Sequence, residues 1–381
     1  MTMYTLYFVL FLVSLGVAIT TTPLLRQLAL KYHIMIDFPN ERRRIHAKAT
    51  PRNGGIGIAF ATLCAIGVGV VLLPISDGQQ FQLAGVLSGG LLIIFLGVVD
   101  DTKGMKAGAK FLGQGLAAAL LVLFDIRIDT LTIFSMDPIQ LPFPISASLT
   151  VFWVLATINA LNLIDGMDGL AGGVALIAAI SLFALAMMHN KALMAMMTIA
   201  LVGSTAGFLR YNYPPASIFM GDCGAMFLGF MLAAVSIQCS QGGSDPPQLL
   251  IPITILGIPL MDTTFAIVRR LGRRQHPFKA DKEHLHHKLL GLGLNTRHAV
   301  LIIHSYCALL GAVALVATAM PLIFLTISGP ILIAMPLLVS ISNVKQPKQF
   351  VLTSQDELTA LEKEVLMKEQ KEKSHCALSD D

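Results

Sequence analysis

Four side chains that offer amide or carboxylate oxygens recur at every third residue in the stretch INALNLIDGMDGLAGG: Asn159, Asn162, Asp165 and Asp168. They stand in a chain that is 55% hydrophobic and only 13% charged, where each costs free energy unless it is paired or used. Residues three apart meet on one helical face, so Asn159 and Asn162 are neighbours on the last turn of one helix. An apolar run over residues 149–158 leads in and another over 170–188 leads out, so both flanks read as membrane helices with the polar groups at their shared end. Gly166 and Gly169 interrupt the pattern, and Asp168 stands where a carboxylate caps the second helix. Caps and a turn would account for one such residue. For four at one membrane boundary, a functional site is the better reading.

Further polar clusters punctuate the apolar runs. In GVVDDTKGMKAGAK, Asp100 and Asp101 sit at a helix C-terminus, where carboxylates oppose the helix dipole. Lys103, Lys106 and Lys110 follow, placed to relieve that repulsion or to hold a phosphate. In FMGDCGAMFLG, Asp222 opens an apolar helix as a good N-cap, the reading it would have if it stood alone. Asp262, in GIPLMDTTFAIVRR, is a carboxylate inside a span, either functional or paired with a neighbouring helix. After it comes DKEHLHHKLL, with His284, His286 and His287. Three histidines in four residues can suggest zinc, but no Cys or HExxH spacing accompanies them. Beside so many basic residues they better suit hydrogen bonding to a diphosphate.

The elements that must position these groups follow from composition. With 381 residues, 32 Gly, 18 Met and a mean hydropathy of +0.71, the chain is too apolar for a soluble two-domain protein and reads as an all-α polytopic membrane protein. Apolar runs of about 17 to 25 residues start near residues 3, 54, 81, 108, 147, 169, 192, 223, 248, 298 and 322, which predicts about 11 transmembrane helices. No basic segment precedes the first run and it is long enough to span, so it reads as a retained helix rather than a signal peptide. Alternating Ile126, Ile128, Leu131 and Ile133 before a turn at Asp137 and Pro138 predict a short external β-hairpin. The five cysteines are odd in number and scattered, so no disulfide framework is indicated. Residues 1–341 form the multi-span domain and 342–381 a charged cytoplasmic tail.

Basic residues set the orientation, because cytoplasmic loops carry the Lys and Arg excess. With the N-terminus outside, only Arg127 and Lys191 of the 27 Lys and Arg remain external. Every unusual polar cluster then falls on the cytoplasmic side, although none was used to assign it, so the active-site loops are expected there. The arginine run Arg42, Arg43 and Arg44, with Lys48 and Arg52, reads at least as readily as an orientation signal as a substrate contact. Carboxylates and amides with open positions suit Mg²⁺, and the basic ring suits phosphates. Such a site is suited to joining a water-soluble nucleotide to a lipid.

GVVDDTKG, INALNLIDGMDGLAGG, FMGDCGAMFLG and DKEHLHHKLL, in this order and spacing, resemble the polyprenyl-phosphate N-acetylhexosamine-1-phosphate transferases of glycosyltransferase family 4, over about residues 37–290. The HLHH form is similar to the bacterial enzymes that move GlcNAc-1-phosphate onto undecaprenyl phosphate, and departs from the branch that uses UDP-MurNAc-pentapeptide. The resemblance implies that Asp222 and Asn162 bind Mg²⁺, or Mn²⁺ in its place. It implies that Asp100 and Asp101 are the catalytic acidic pair beside the lipid phosphate, one of them a proposed base, and that Lys110 holds that phosphate or the diphosphate. Asn159, Asp165 and Asp168 are then expected near the nucleotide sugar, with His284, His286 and His287 gripping its diphosphate. The products would be undecaprenyl-diphospho-GlcNAc and UMP, initiating a cell-envelope polysaccharide at the bacterial plasma (inner) membrane. No nucleic-acid partner is expected, and a homodimer is left open. The alternative from another class is a secondary transporter, favoured only by Asp262, since transporters place carboxylates near the midplane between repeats and no repeat is visible. A structural scaffold would leave the one-sided carboxylates unexplained.

Overall fold

The computed structural model describes residues 2–37, 49–131, 138–240, 250–276 and 283–319. In order, the elements are α1 (Met3–Tyr32), β1 (Ile36–Asp37), β2 (Thr50–Pro51), α2 (Gly54–Leu72), α3 (Asp77–Lys103), α4 (Ala107–Leu123), β3 (Thr130–Leu131), β4 (Ile139–Gln140), α5 (Phe143–Ile164), α6 (Leu170–Met188), α7 (Ala192–Asn212), α8 (Gly221–Ser240), α9 (Leu250–Ile255), α10 (Gly257–Gly272), α11 (Leu285–Gly291) and α12 (Thr296–Ala319). Among the described residues, eight helices are long and apolar enough to cross a membrane: α1, α2, α3, α5, α6, α7, α8 and α12. The chain is an all-helical, multi-pass membrane protein.

Of the eleven expected spans, two take another form among the described residues. The fourth run forms α4, which at 17 residues is at the lower limit for spanning. The ninth is not one helix but two, α9 and α10, joined at Leu256. Pro259 explains the break, because it has no N–H to donate and its ring clashes with the carbonyl four residues earlier, that of Ile255 at the end of α9. The eleventh run and the tail lie outside the described residues. The strands are two short antiparallel pairs, β1 with β2 and β3 with β4; the tip of the expected hairpin, around Asp137, also lies outside them.

Helix α8 is the axis of the bundle. It is buried along nearly its whole length, whereas α1 buries only a minority of its residues. In a membrane, helices associate by close packing rather than by expulsion of water, so small residues mark the tightest crossings. A Cβ added to Gly55 of α2 would lie 2.1 Å from the backbone nitrogen of Gly224, one added to Gly97 of α3 2.2 Å from Cα of Cys223, and one added to Gly229 2.7 Å from Cα of Ile158 in α5. Helices α2, α3 and α5 are thereby held at backbone contact with α8. Hydrogen bonds add register: Trp153 Nε1 donates to Ser236 Oγ at 2.9 Å between α5 and α8. In α1, Pro23 frees the carbonyl of Ile19, and the Tyr211 hydroxyl of α7 donates to it at 3.0 Å.

Candidate active site

Alternating helices bring the C-terminal ends of α3, α5 and α7 and the N-terminal ends of α2, α4, α6 and α8 together at one end of the bundle. The backbone ties them there: Phe219 N donates to Pro51 O at 2.7 Å, Gly54 N to Phe219 O at 3.0 Å and Gly55 N to Met220 O at 2.8 Å.

At the centre is a chain of ionic and amide contacts. The Lys110 ammonium, from the first turn of α4, pairs with Asp100 Oδ2 and lies 3.3 Å from Asp222 Oδ2. On the other side, Asn162 Nδ2 donates to Asp222 Oδ1 at 2.5 Å. Asp100 is further fixed by Met105 N, which donates to its Oδ1 at 2.7 Å. Its side chain is only 4% exposed, whereas those of Lys110 and Asp222 are 24% and 25% exposed. The two half-open groups are thus the ones a ligand can reach.

Asp222 does not cap α8, as its place in the sequence suggested. Helix α8 begins at Gly221, so Asp222 lies inside the first turn and its side chain points to Lys110 and Asn162. The cap comes from α3: Asp101 Oδ1 accepts from Asp222 N at 3.0 Å and Oδ2 from Cys223 N at 2.9 Å. The Asp101 side chain is fully buried, with Arg52 Nη2 3.7 Å from Oδ1. Gly221 makes this approach feasible, since its φ is +71° and a Cβ would lie 2.2 Å from Arg52 O and 2.6 Å from Asp101 Oδ2.

Asp168 likewise does not cap α6. The N-cap position is Gly169, with left-handed φ of 73°, and its N–H donates to Asn212 Oδ1 at 3.0 Å. Asp168 Oδ2 instead accepts from Ala216 N at 2.9 Å. Asn212 also donates to Ile218 O at 2.9 Å, so one buried amide pins the 165–169 loop to the 213–220 turn.

A cleft of about 160 Å³ opens beside these contacts, lined among others by Asn162, Asp165, Asp168, Asp222, Asp37 and Arg52. It is smaller than the roughly 300 Å³ and upward of whole small-molecule pockets, a size for an ion and a few phosphate oxygens. Burial, with the negative charges of Asp222 and Asp101 beyond it, pushes Asp165 up to about 7. Asn159 does not reach the cleft, because its amide donates to Gln114 Oε1 of α4 and to Leu155 O, both at 2.8 Å.

The histidine segment stands behind the 165–169 loop. His284 Nδ1 lies 2.8 Å from Asp262 Oδ2, and Leu285 N donates to Asp262 Oδ1 at 2.9 Å. Asp262, left open by the sequence, is therefore paired with this segment. The His286 ring stacks on His284 with centroids 5.8 Å apart, and His287 lies 4.2 Å beyond. Burial, and the neighbouring His287, hold His286 down to about 3, so it is neutral near pH 7.

Of the site residues expected from sequence, Asp100, Asp101, Lys110, Asn162 and Asp222 come together, Asp165 and Asp168 line the adjoining cleft, the histidines pack behind its loop, and Asn159 turns away. Arg52, Asn212 and Asp37 were not among them. Arg52 was visible only as one member of a basic run, and Asn212, at the end of α7, and Asp37, in β1, carry no signal beyond being polar. Arg42, Arg43, Arg44 and Lys48 lie outside the described residues.

Mg²⁺ can be tested against these donors. Among the described residues, no three Asp, Glu, His or Cys side chains converge as a ready-made cage. Asp222 offers an accessible carboxylate, and a half-turn of the near-symmetric Asn162 amide would present its oxygen to the same point. Four carboxylates line the cleft against the single guanidinium of Arg52, an excess of negative charge that favours a bound cation. This donor set fits an ion that keeps water and substrate oxygens in most of its shell, as Mg²⁺ does.

The sequence profile of Glycosyl transferase family 4 matches residues 83–240, which hold Asp100, Asp101, Lys110, Asn162 and Asp222. The chain is 34% identical to a probable undecaprenyl-phosphate N-acetylglucosaminyl 1-phosphate transferase of Bacillus subtilis, over 78% of this chain and 80% of that protein. It is 33% identical to a decaprenyl-phosphate N-acetylglucosaminephosphotransferase of Mycolicibacterium smegmatis over the same shares. It is 28% identical to an undecaprenyl-phosphate alpha-N-acetylglucosaminyl 1-phosphate transferase of Salmonella typhi, over 77% of this chain and 79% of that protein.

Proposed function

Because the chain belongs to glycosyl transferase family 4, we propose that it transfers N-acetylglucosamine-1-phosphate from UDP-GlcNAc to undecaprenyl phosphate, giving undecaprenyl-diphospho-GlcNAc and UMP. The observation that carries this reading is Lys110, a cation held between Asp100 and the cleft-lining Asp222, where a membrane-anchored phosphate and a soluble diphosphate can meet. An oxygen of the lipid phosphate attacks the β-phosphorus of UDP-GlcNAc, the bond from that phosphorus to the UMP oxygen breaks, and UMP leaves. A phosphate monoester has a second pKa of about 6, so the acceptor is largely dianionic at neutral pH and needs no strong base.

Asp100 and Lys110 then orient the acceptor phosphate, and Asp101 sets the helix that presents Asp222. Asp222 and Asn162 would hold Mg²⁺, whose bound form neutralises charge on the diphosphate and leaving group. Asp165 and Asp168 face the nucleotide-sugar side. The distribution of Lys and Arg supports a cytoplasmic site in a bacterial plasma membrane. With Asp262 paired to His284, the transporter alternative loses the one residue that favoured it.

The test is purified protein with Mg²⁺, undecaprenyl phosphate and a panel of UDP-sugars including UDP-MurNAc-pentapeptide, scored for UMP. Release is expected with UDP-GlcNAc and only when the lipid is present. Release that ignores the lipid would discredit the reading.

A further inference from the structure

The carboxylate of Asp262 serves two groups of the histidine segment at once. One oxygen accepts the backbone N–H that starts α11, at Leu285, and the other lies against the ring nitrogen of His284. Both the path of the chain and the orientation of one imidazole are therefore set by a residue of α10. Asp262 is itself 8% exposed and does not line the cleft.

The next imidazole depends on the first. His286 is 2% exposed, and its Nδ1 is buried with no hydrogen-bond partner among the described residues. Packing must fix it instead. On one side its ring stacks on His284, with an angle of 6° between the planes. The His287 ring lies 4.2 Å from it, and the Nε2 edge of His286 meets Gly166, where a Cβ would come within 2.7 Å of Nε2. Gly166 belongs to the cleft loop and is flanked by Asp165 and Met167, which also line the cleft. Groups in such close contact pass a displacement on rather than absorb it.

We infer that Asp262 is a positioning residue: through His284 and the His286 ring it holds the 165–169 loop in place and so shapes the nucleotide-sugar side of the cleft. The substrate named in this inference rests on the proposed function; the mechanical link from Asp262 to the loop does not.

Asp262→Asn and Asp262→Ala test it: Asn keeps the volume and an acceptor for Leu285 N but turns an amide donor towards His284 Nδ1, and Ala removes both contacts. Hydrogen exchange without substrate reads the mechanical link. Faster exchange is expected in residues 285–288 and also in 165–170, which Asp262 does not touch, with other helices unchanged. Steady-state kinetics read the consequence: KM for UDP-GlcNAc should rise about tenfold or more, while KM for the lipid stays within about twofold. In a His284→Ala background, Asp262→Asn should add little to either readout, because residues acting through one another are not additive. Unchanged exchange at 165–170 would overturn the inference. So would a general loosening of the bundle with both substrates affected alike, which marks mere support of the fold. Faster loop exchange in a protein whose wild type ignores UDP-GlcNAc would keep the link and sink the proposed function instead.

Discussion

Asp101, at the end of α3, caps the helix on which Asp222 is carried, its two carboxylate oxygens accepting the backbone N–H groups of Asp222 and Cys223. The adjacent acidic residues thus do different work. Asp100 faces Lys110, whereas Asp101 is turned into the bundle with both oxygens occupied. A carboxylate that is fully buried and accepts two amide hydrogens is poorly placed to remove a substrate proton, and well placed to hold Asp222 at a fixed distance from Lys110.

Asp101→Ala should leave two amide groups without their acceptor inside the bundle. An unsatisfied buried donor costs about 1–3 kcal/mol, and loss of a helix cap about 0.5–2 kcal/mol. A clear fall in the thermal midpoint in detergent is expected, with activity falling alongside. Asp101→Asn keeps one acceptor and should lie between wild type and Ala in both measurements. A base would behave otherwise, with Asn as damaging to turnover as Ala and stability untouched.

Gly221→Ala tests the same junction from the other strand of the contact. The added Cβ would meet the Arg52 carbonyl and the Asp101 carboxylate, and the backbone has positive φ. Left-handed backbone at a non-glycine residue costs about 1–3 kcal/mol, and the clash with a main-chain oxygen adds to it. Thermal unfolding should show a loss of at least that size. A variant as stable and active as wild type would mean that α8 can shift without disturbing Asp222.

Much of this architecture could be read from the chain. Helices of membrane length are specified locally, by uninterrupted apolar runs, and the polar clusters at their ends were distinct against so apolar a background. What could not be read is which end group meets which. Asp101 and Asp222 are 121 residues apart, and the N–H groups that Asp101 accepts belong to the backbone, which has no sequence signature. Asp168 looked like a cap because Asp often is one, but Asn212, from another helix, took Gly169 N and left Asp168 to bond Ala216. Asn159 shares the spacing of Asn162, yet one turn deeper it meets Gln114 rather than the cleft. The break at Leu256 has its signal in Pro259, inside an apolar run long enough to read as one span.

The acid sensitivity of the fold should carry a contribution from His286. Burial lowers this histidine to about 3 from an unfolded value of about 6.5, so between these values the unfolded chain binds a proton that the folded chain refuses. Stability therefore rises with pH across that window and falls as pH drops through it. His286→Gln removes the titration at similar volume. Its thermal midpoint should fall less steeply than that of wild type between pH 6.5 and 4. Parallel curves would show that the segment opens locally and exposes the ring before the bundle unfolds.

Asp222→Asn is the sharpest test of the site. Because Asp101 supplies the cap, substitution at 222 removes no capping bond, and the replacing amide can still accept from Asn162. It removes the charge beside Lys110 and, in the proposed function, the charge that holds a hard cation. Stability should change little, since Lys110 keeps Asp100 and the carboxylates crowded around 222 repel each other less. Turnover should fall by at least about a hundredfold, the scale of losing a principal electrostatic contact to the transition state, with partial recovery at raised Mg²⁺. UMP release measured against Mg²⁺ concentration, beside thermal unfolding, separates charge from scaffold. Wild-type turnover with an unshifted Mg²⁺ dependence would leave the metal to Asn162 and the remaining aspartates and return Asp222 to a partner of Lys110 alone.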